Sequence, residues 1–172
     1  MAFFSGQKLR ASDLNDLIDE DSVLPRGNIA RGNRTTSSST TTTEGGVLRL
    51  DDFPMYLGRT YKIWTSPLLM DTSVAADVAS SNLRITTDGS TPSTSSTILS
   101  SVQAPLANAT SGNTVPHSID YTPTADLLFS VLLTVTRVSG TGNISLVGAA
   151  TAPINMVIED IGLDKTDTGT DI

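Results

Sequence analysis

The sequence predicts a mainly β protein: a β-sandwich or jelly-roll-like domain with a short N-terminal helix and an extended arm. Three observations favour this fold class. Ser and Thr occupy about a quarter of the 172 positions; Thr favours strands, and Ser hydrogen-bonds within turns. Short segments of alternating polar and apolar residues recur between turn residues from position 47 onward, which is typical of a sandwich. The hydrophobic content of 38% is sufficient for one core in a chain of this length.

The first 24 residues contain the helical stretch. Ser12 is suited to the N-cap, and three apolar residues that follow it share one helix face. A helix of about two turns is not stable alone, so we expect this face to dock on its own domain or on a neighbouring copy. The expected assembly or anchor residues are Leu9, Leu14, Leu17 and Ile18.

The next segment, residues 25–46, is rich in Thr, Ser and Gly and nearly free of apolar side chains. Such a segment buries too little surface to offset its ordering entropy, which favours a flexible linker. The alternative is an extended arm whose backbone pairs with the sheet edge of a neighbouring subunit.

The β-sandwich domain is predicted over residues 47–162, followed by an acidic tail at 163–172. Its longest strand has apolar residues on both faces at first and then alternates, which fits a central strand of a sandwich. A short Gly-rich link follows this strand, so residues 127–148 are expected to form a hairpin. The predicted strands cover residues 47–50, 59–65, 68–70, 82–87, 127–138, 144–147 and 153–161.

Composition argues against several classes of partner. The net charge of −7 would repel a nucleic-acid duplex, and no basic cluster offsets it. No apolar run approaches the roughly 18 residues of a spanning helix, so no membrane partner is expected. Cysteine is absent, which excludes thiolate chemistry. The first residues lack a secretory pattern, so we expect the chain to be synthesised and folded in a cytoplasm.

No set of residues in the sequence forms a recognisable catalytic motif. His117 is the single histidine, and its neighbours Ser118 and Asp120 cannot converge on it in an extended chain. The paired carboxylates at 51–52 and 159–160 are sequence neighbours, whereas glycosidases need two carboxyl groups that face each other across a cleft. The chain is therefore predicted not to be an enzyme, and we expect His117 to be structural.

The acidic tail contains the best metal candidates, Asp164, Asp167 and Asp171. Calcium prefers such oxygen ligands, but the spacing does not match a helix–loop–helix calcium site. A solvated tail is the favoured interpretation, so no metal and no cofactor are predicted.

Two terminal segments resemble a known group of proteins. GQKLRASDLNDL (Gly6–Leu17) and VIEDIGLDKTDTG (Val157–Gly169) resemble the opening and close of small virion structural proteins of tailed bacteriophages, especially those of actinobacteria. Residues 48–71 and 83–99 resemble the β domain of the same group. The resemblance implies a surface protein of the head (decoration) or of the tail (minor tail protein). It also implies a homotrimer, with the major capsid or tail proteins of the particle as partners and the virion as location.

Two other functions remain open. A receptor- or glycan-binding module of a phage tail fibre is the main alternative, because Trp64, Tyr56 and Tyr61 could form a platform on which sugars stack. An enzyme such as a depolymerase is the third.

Overall fold

The computed structural model describes residues 26–109 and 112–163. These residues form eleven strands and no helix, which confirms the predicted mainly β sandwich. The helix expected near residues 12–20 lies outside the described ranges. The strands, in chain order, are β1 (Gly27–Arg34), β2 (Gly45–Met55), β3 (Arg59–Thr65), β4 (Leu68–Thr72), β5 (Asp77–Thr86), β6 (Thr97–Leu106), β7 (Asn113–Val115), β8 (Ser118–Tyr121), β9 (Leu127–Ser139), β10 (Ile144–Val147) and β11 (Ile154–Leu163).

The strands pair into three antiparallel sheets. Sheet A has the order β1-β11-β3-β8, sheet B the order β10-β4-β7, and sheet C the order β2-β9-β5-β6. Only Ser66 and Pro67 separate β3 from β4, and proline cannot donate a hydrogen bond to a ladder. Sheets A and B adjoin at this link, and we describe them together as one layer opposite sheet C; residues of all three sheets share a single hydrophobic core.

The alternation of residues along each strand determines which side chains enter this core. In β3, Tyr61 and Ile63 point inward and are at most 1% exposed, as their alternation predicts. In β9, Leu133 and Val135 point inward in the same way. Phe129 lies between the layers, with its ring centroid 5.0 Å from that of Tyr121 on sheet A. The two layers are thus joined by aromatic as well as aliphatic contacts.

The flexible linker predicted for residues 25–46 is wrong for Gly27–Arg34. These residues form β1 and pair with β11 along the edge of sheet A. Ile29 and Ala30 pack against the core. The Arg34 guanidinium donates hydrogen bonds to backbone carbonyls, including that of Val47 at 3.0 Å. Backbone hydrogen bonds to β11 of the same chain order this segment, although it has few apolar side chains. The other predicted division points stay predictions.

The hairpin predicted over residues 127–148 is also wrong. β9 belongs to sheet C, whereas β10 pairs with β4 in sheet B. The link between them crosses from one layer to the other and is held by Asp77, whose carboxylate accepts hydrogen bonds from the amides of Thr141 and Gly142 at 2.8 and 3.1 Å. A Cβ at Gly140, where φ is +99°, would lie 1.7 Å from that carboxylate. The close approach requires glycine and fixes the crossing.

Candidate functional site

His117 lies in the interior, just before β8, and is 1% exposed. Its backbone N–H donates to the Thr65 hydroxyl at 2.9 Å. Its ring nitrogens contact two hydroxyl groups of sheet C: Nδ1 lies 2.9 Å from Ser100 Oγ, and Nε2 lies 3.1 Å from Ser81 Oγ. No carboxylate is hydrogen-bonded to the ring among the described residues. The histidine therefore links the two layers.

The hydrogen bonds of Ser81 determine the tautomer of His117. Ser81 donates its one hydroxyl proton to the carbonyl of Thr134 at 3.1 Å, so its oxygen accepts from Nε2–H. Nδ1 then accepts from Ser100. Burial lowers the pKa of His117 from 6.5 to about 4, because the charged ring would lose its hydration. Of the two serines, Ser100 is the one whose proton the ring could accept, but Nε2–H is bonded to the Ser81 hydroxyl and not to a carboxylate that would stabilise the charged ring. Burial of the neutral imidazole also makes it a weaker base. The structural interpretation of His117 fits this geometry.

The paired carboxylates do not face each other across a cleft. Glu159 and Asp160 point to opposite faces of β11, and Asp160 is 1% exposed. Asp160 accepts two hydrogen bonds from the Arg59 guanidinium, at 2.7 and 2.8 Å. That contact raises the pKa of Arg59 further, against the effect of burial. Asp51, on β2, forms an exposed ion pair with Arg49 at 2.7 Å.

The outer face of sheet C carries a closed polar network, defined here by Glu44, Arg84, Asn82 and Thr134. Arg84 contacts both carboxylate oxygens of Glu44, at 2.6 and 2.5 Å. Asn82 donates to the same carboxylate at 3.0 Å, and the Thr134 hydroxyl donates to it as well. Burial raises the pKa of Glu44, but these hydrogen bonds outweigh burial and lower it from 4.5 to about 2. Every polar group of this network has a protein partner.

The outer face of sheet A is different, and we call its centre the open face: Lys62, Trp64, Ser118 and Glu159. Lys62 and Trp64 point outward from β3, where Lys62 lies opposite Glu159 and Trp64 lies opposite Ser118. The indole is half-buried. Within the described ranges, Lys62, Ser118 and Glu159 form no side-chain hydrogen bond and no ion pair. A groove of about 360 Å³ runs over these residues and is also lined by Thr65, Pro116 and His117.

The three-ring platform predicted from the sequence is wrong. Tyr61 is 1% exposed and points into the core, where its hydroxyl accepts a hydrogen bond from the backbone N–H of Tyr56 at 2.9 Å. Tyr56 lies beyond the end of β2, under the guanidinium of Arg26. Trp64 alone of the three lies on the open face.

Both ends of the described chain lie at the same end of the sandwich, which we call the terminal end. β1 begins at Gly27, opposite Asp160, and β11 ends at Leu163, opposite Arg59. Four exposed apolar side chains belong to the strand ends and the turn there. They are Tyr56, Leu57, Ile161 and Leu163, with exposed fractions of 41, 62, 40 and 41%.

The remaining expected site residues lie outside the described part of the chain: Leu9, Leu14, Leu17 and Ile18, and the calcium candidates Asp164, Asp167 and Asp171. Between residues 26 and 163, with 110–111 excepted, no group of three metal-ligating side chains comes together. The same residues include no helix that is long and apolar enough to cross a membrane.

No protein-family model and no curated protein matches the sequence. Among solved structures, the chain is similar to VP2 of infectious bursal disease virus in a subviral particle, with 11% identity, a TM-score of 0.39, and coverage of 80% of this chain and 38% of that one. It is also similar to a structure of the Gx strain of that virus, with 12% identity, a TM-score of 0.35, and coverage of 79 and 39%. These neighbours are viral capsid proteins. The chain spans less than two fifths of their length, and at TM-scores below 0.5 the likeness carries no functional argument.

Proposed function

We propose that this chain is a non-enzymatic structural component of a tailed-phage virion that works through oligomeric assembly. It is a surface protein of the head or the tail, and residues 1–24 attach it to the particle or to its symmetry mates. The partners are further copies of the chain, as a homotrimer, and the major capsid or tail proteins of the particle.

One observation carries the proposal: the first and the last described strands begin and end, respectively, at the terminal end. Residues 1–25 precede Arg26 there, and residues 164–172 follow Leu163. An attachment segment at one end leaves the opposite end of a rigid domain to project outward. The exposed apolar side chains at the terminal end add area that a contact with a neighbouring subunit would bury.

The described residues also suit a scaffold better than a catalyst. One core joins all three sheets, and the layers are tied by His117 and by the crossing at Asp77. The polar groups with perturbed pKa values, such as Glu44 and His117, form hydrogen bonds that hold neighbouring strands together. The resemblance of the sequence to small phage virion proteins supports the assignment of the chain to a phage particle.

Light scattering on the full-length protein tests the assembly. We expect a mass about three times the 18.0 kDa of one chain. The double substitution Leu14→Asp and Leu17→Asp should reduce this to the monomer mass, because it charges the apolar face of the expected helix. Val138→Asp, at an exposed position near the opposite end, is the matched control and should leave the trimer intact. A monomeric full-length protein, or a double variant with unchanged mass, would contradict the proposal.

A further inference from the structure

We propose that the open face is a saccharide-binding site in which Trp64 is the stacking platform. This inference goes beyond scaffolding and does not depend on the oligomeric state. It rests on the placement of the indole, on the unengaged polar groups around it and on the balance of charge in the groove.

Trp64 is held by the sheet and yet remains accessible. It lies in β3 between Val157 of β11 and Ser118 of β8. Val157 faces outward but is only 2% exposed, as expected for a residue that is covered by its large cross-strand neighbour. The part of the indole that is not buried faces the groove. An aromatic ring fixed on a strand can receive the apolar C–H face of a pyranose with little loss of conformational entropy.

The polar residues around the indole offer both kinds of hydrogen-bonding group. Lys62 has three donors, Glu159 has carboxylate acceptors, and the Ser118 hydroxyl can do either. None of the three is hydrogen-bonded to another side chain in the described part of the chain. Each sugar hydroxyl can donate one hydrogen bond and accept others, so neighbouring hydroxyls of one ring can satisfy all three groups at once.

The floor of the groove is rigid. The Thr65 hydroxyl accepts from the His117 amide, and the Thr65 amide donates to the His117 carbonyl at 3.1 Å. The His117 ring is fixed on sheet C by Ser81 and Ser100. A binding surface that is ordered before the ligand arrives loses less entropy on binding. The groove volume of about 360 Å³ falls in the range of roughly 300–1,000 Å³ that is usual for small ligands.

The charges select a neutral saccharide over other ligands. Lys62 faces two carboxylates across its neighbouring strands, Glu159 and Asp120, so a phosphate or nucleic acid would be repelled. A purely apolar partner would remove water from Lys62 and Glu159 without forming hydrogen bonds to replace it. A neutral, hydroxyl-rich ring avoids both costs.

Trp64 is the single tryptophan of the chain, so its fluorescence reports binding directly. The full-length protein should be titrated with maltohexaose, cellohexaose and chitohexaose. We expect a saturable change in intensity with at least one of these neutral oligosaccharides. By calorimetry, Trp64→Ala should weaken that binding about tenfold or more. Tyr56→Ala removes an exposed aromatic ring elsewhere and should leave the affinity unchanged.

A second variant separates a binding role from a folding role. Glu159→Gln keeps the shape of the side chain and should weaken binding without changing the melting temperature. The proposal is overturned if none of the three oligosaccharides gives a saturable signal, or if the Trp64→Ala protein binds as tightly as the native one. Light scattering of the same variants should show the native mass, so a failure here is distinguishable from a failure of assembly.

Discussion

The two outer faces of the sandwich contain similar side chains and use them in opposite ways. On sheet C, the carboxylate of Glu44 is enclosed by Arg84, Asn82 and Thr134, and the pair Glu44–Arg84 is only 17 and 12% exposed. On sheet A, Lys62 and Glu159 lie opposite each other in adjacent strands but form no ion pair.

The difference shows which polar groups stabilise the fold. A closed network contributes to stability, because each of its groups would be costly to leave without a partner. Free polar groups beside a half-buried indole contribute little to stability and remain available to a ligand. We therefore expect mutations on the two faces to separate stability from binding.

The largest effect is expected for Glu44→Ala. The substitution leaves the largely buried side chains of Arg84, Asn82 and Thr134 without their common acceptor. The free energy of unfolding should fall by about 3 kcal/mol. Urea denaturation, followed by the fluorescence of Trp64, measures it.

The matched control is Lys62→Ala on the open face. It removes a side chain that has no hydrogen-bond or ion-pair partner among residues 26–109 and 112–163, so the free energy of unfolding should stay within about 0.5 kcal/mol of the native value. An equal loss of unfolding free energy in Glu44→Ala and Lys62→Ala would contradict the proposed difference between the closed network and the open face.

The second effect in size is expected on lowering the pH, which protonates Glu44 and so weakens the closed network. The pKa of Glu44 is about 2 in the folded chain and near 4.5 when unfolded. The stabilisation is therefore complete above pH 4.5 and is lost as the pH falls through 2, by a total of about 3 kcal/mol. Unfolding measured from pH 5 to 2 should show this loss in the native protein. A Glu44→Gln variant whose stability falls just as steeply would show that the loss has another origin.

His117, beneath the open face, should titrate at higher pH and with a smaller effect. Its folded pKa is about 4, against 6.5 when exposed, so the unfolded chain takes up the proton first. Stability is complete above pH 6.5 and declines as the pH falls towards 4, by about 2 kcal/mol between pH 7 and 5. His117→Gln, which does not titrate, should flatten the curve in this window. A native curve that is itself flat there would contradict the burial of the neutral ring.

Apart from the Lys62→Ala control, the smallest effect on stability is expected for Trp64→Phe. The indole is half-buried on the outside of the sheet, so the loss should be below about 1 kcal/mol. Circular dichroism during thermal unfolding measures it in the absence of the fluorescent probe. A loss as large as that of Glu44→Ala would mean that Trp64 is a packing residue.

The strands with clear alternation could be predicted from the sequence. β3 and β9 were predicted because apolar residues alternate along them or fill both faces. β6 was not, because it is an edge strand in which only Ala104 and Leu106 are buried, so it lacks a regular alternation of apolar residues. The separation of β9 from β10 depends on Asp77, which lies 64 residues before Thr141. A local Gly-rich link cannot reveal such a contact.

The candidate site was accessible from the sequence only in part. Trp64 was predicted as a stacking residue together with Tyr61, although the alternation along β3 already places these two rings on opposite faces of the strand. Glu44 lies in a low-complexity segment, and its partners lie 38 to 90 residues away. Lys62 and Glu159 come together through strand register alone. The closed and the open face are both products of long-range pairing.

The most direct test of the account is immunogold labelling of intact virions with antibodies against the β domain. If the chain is a surface component of the particle, gold should mark regular positions on the head or the tail. Unlabelled particles, with the protein present only free in the lysate, would contradict a structural role in the virion.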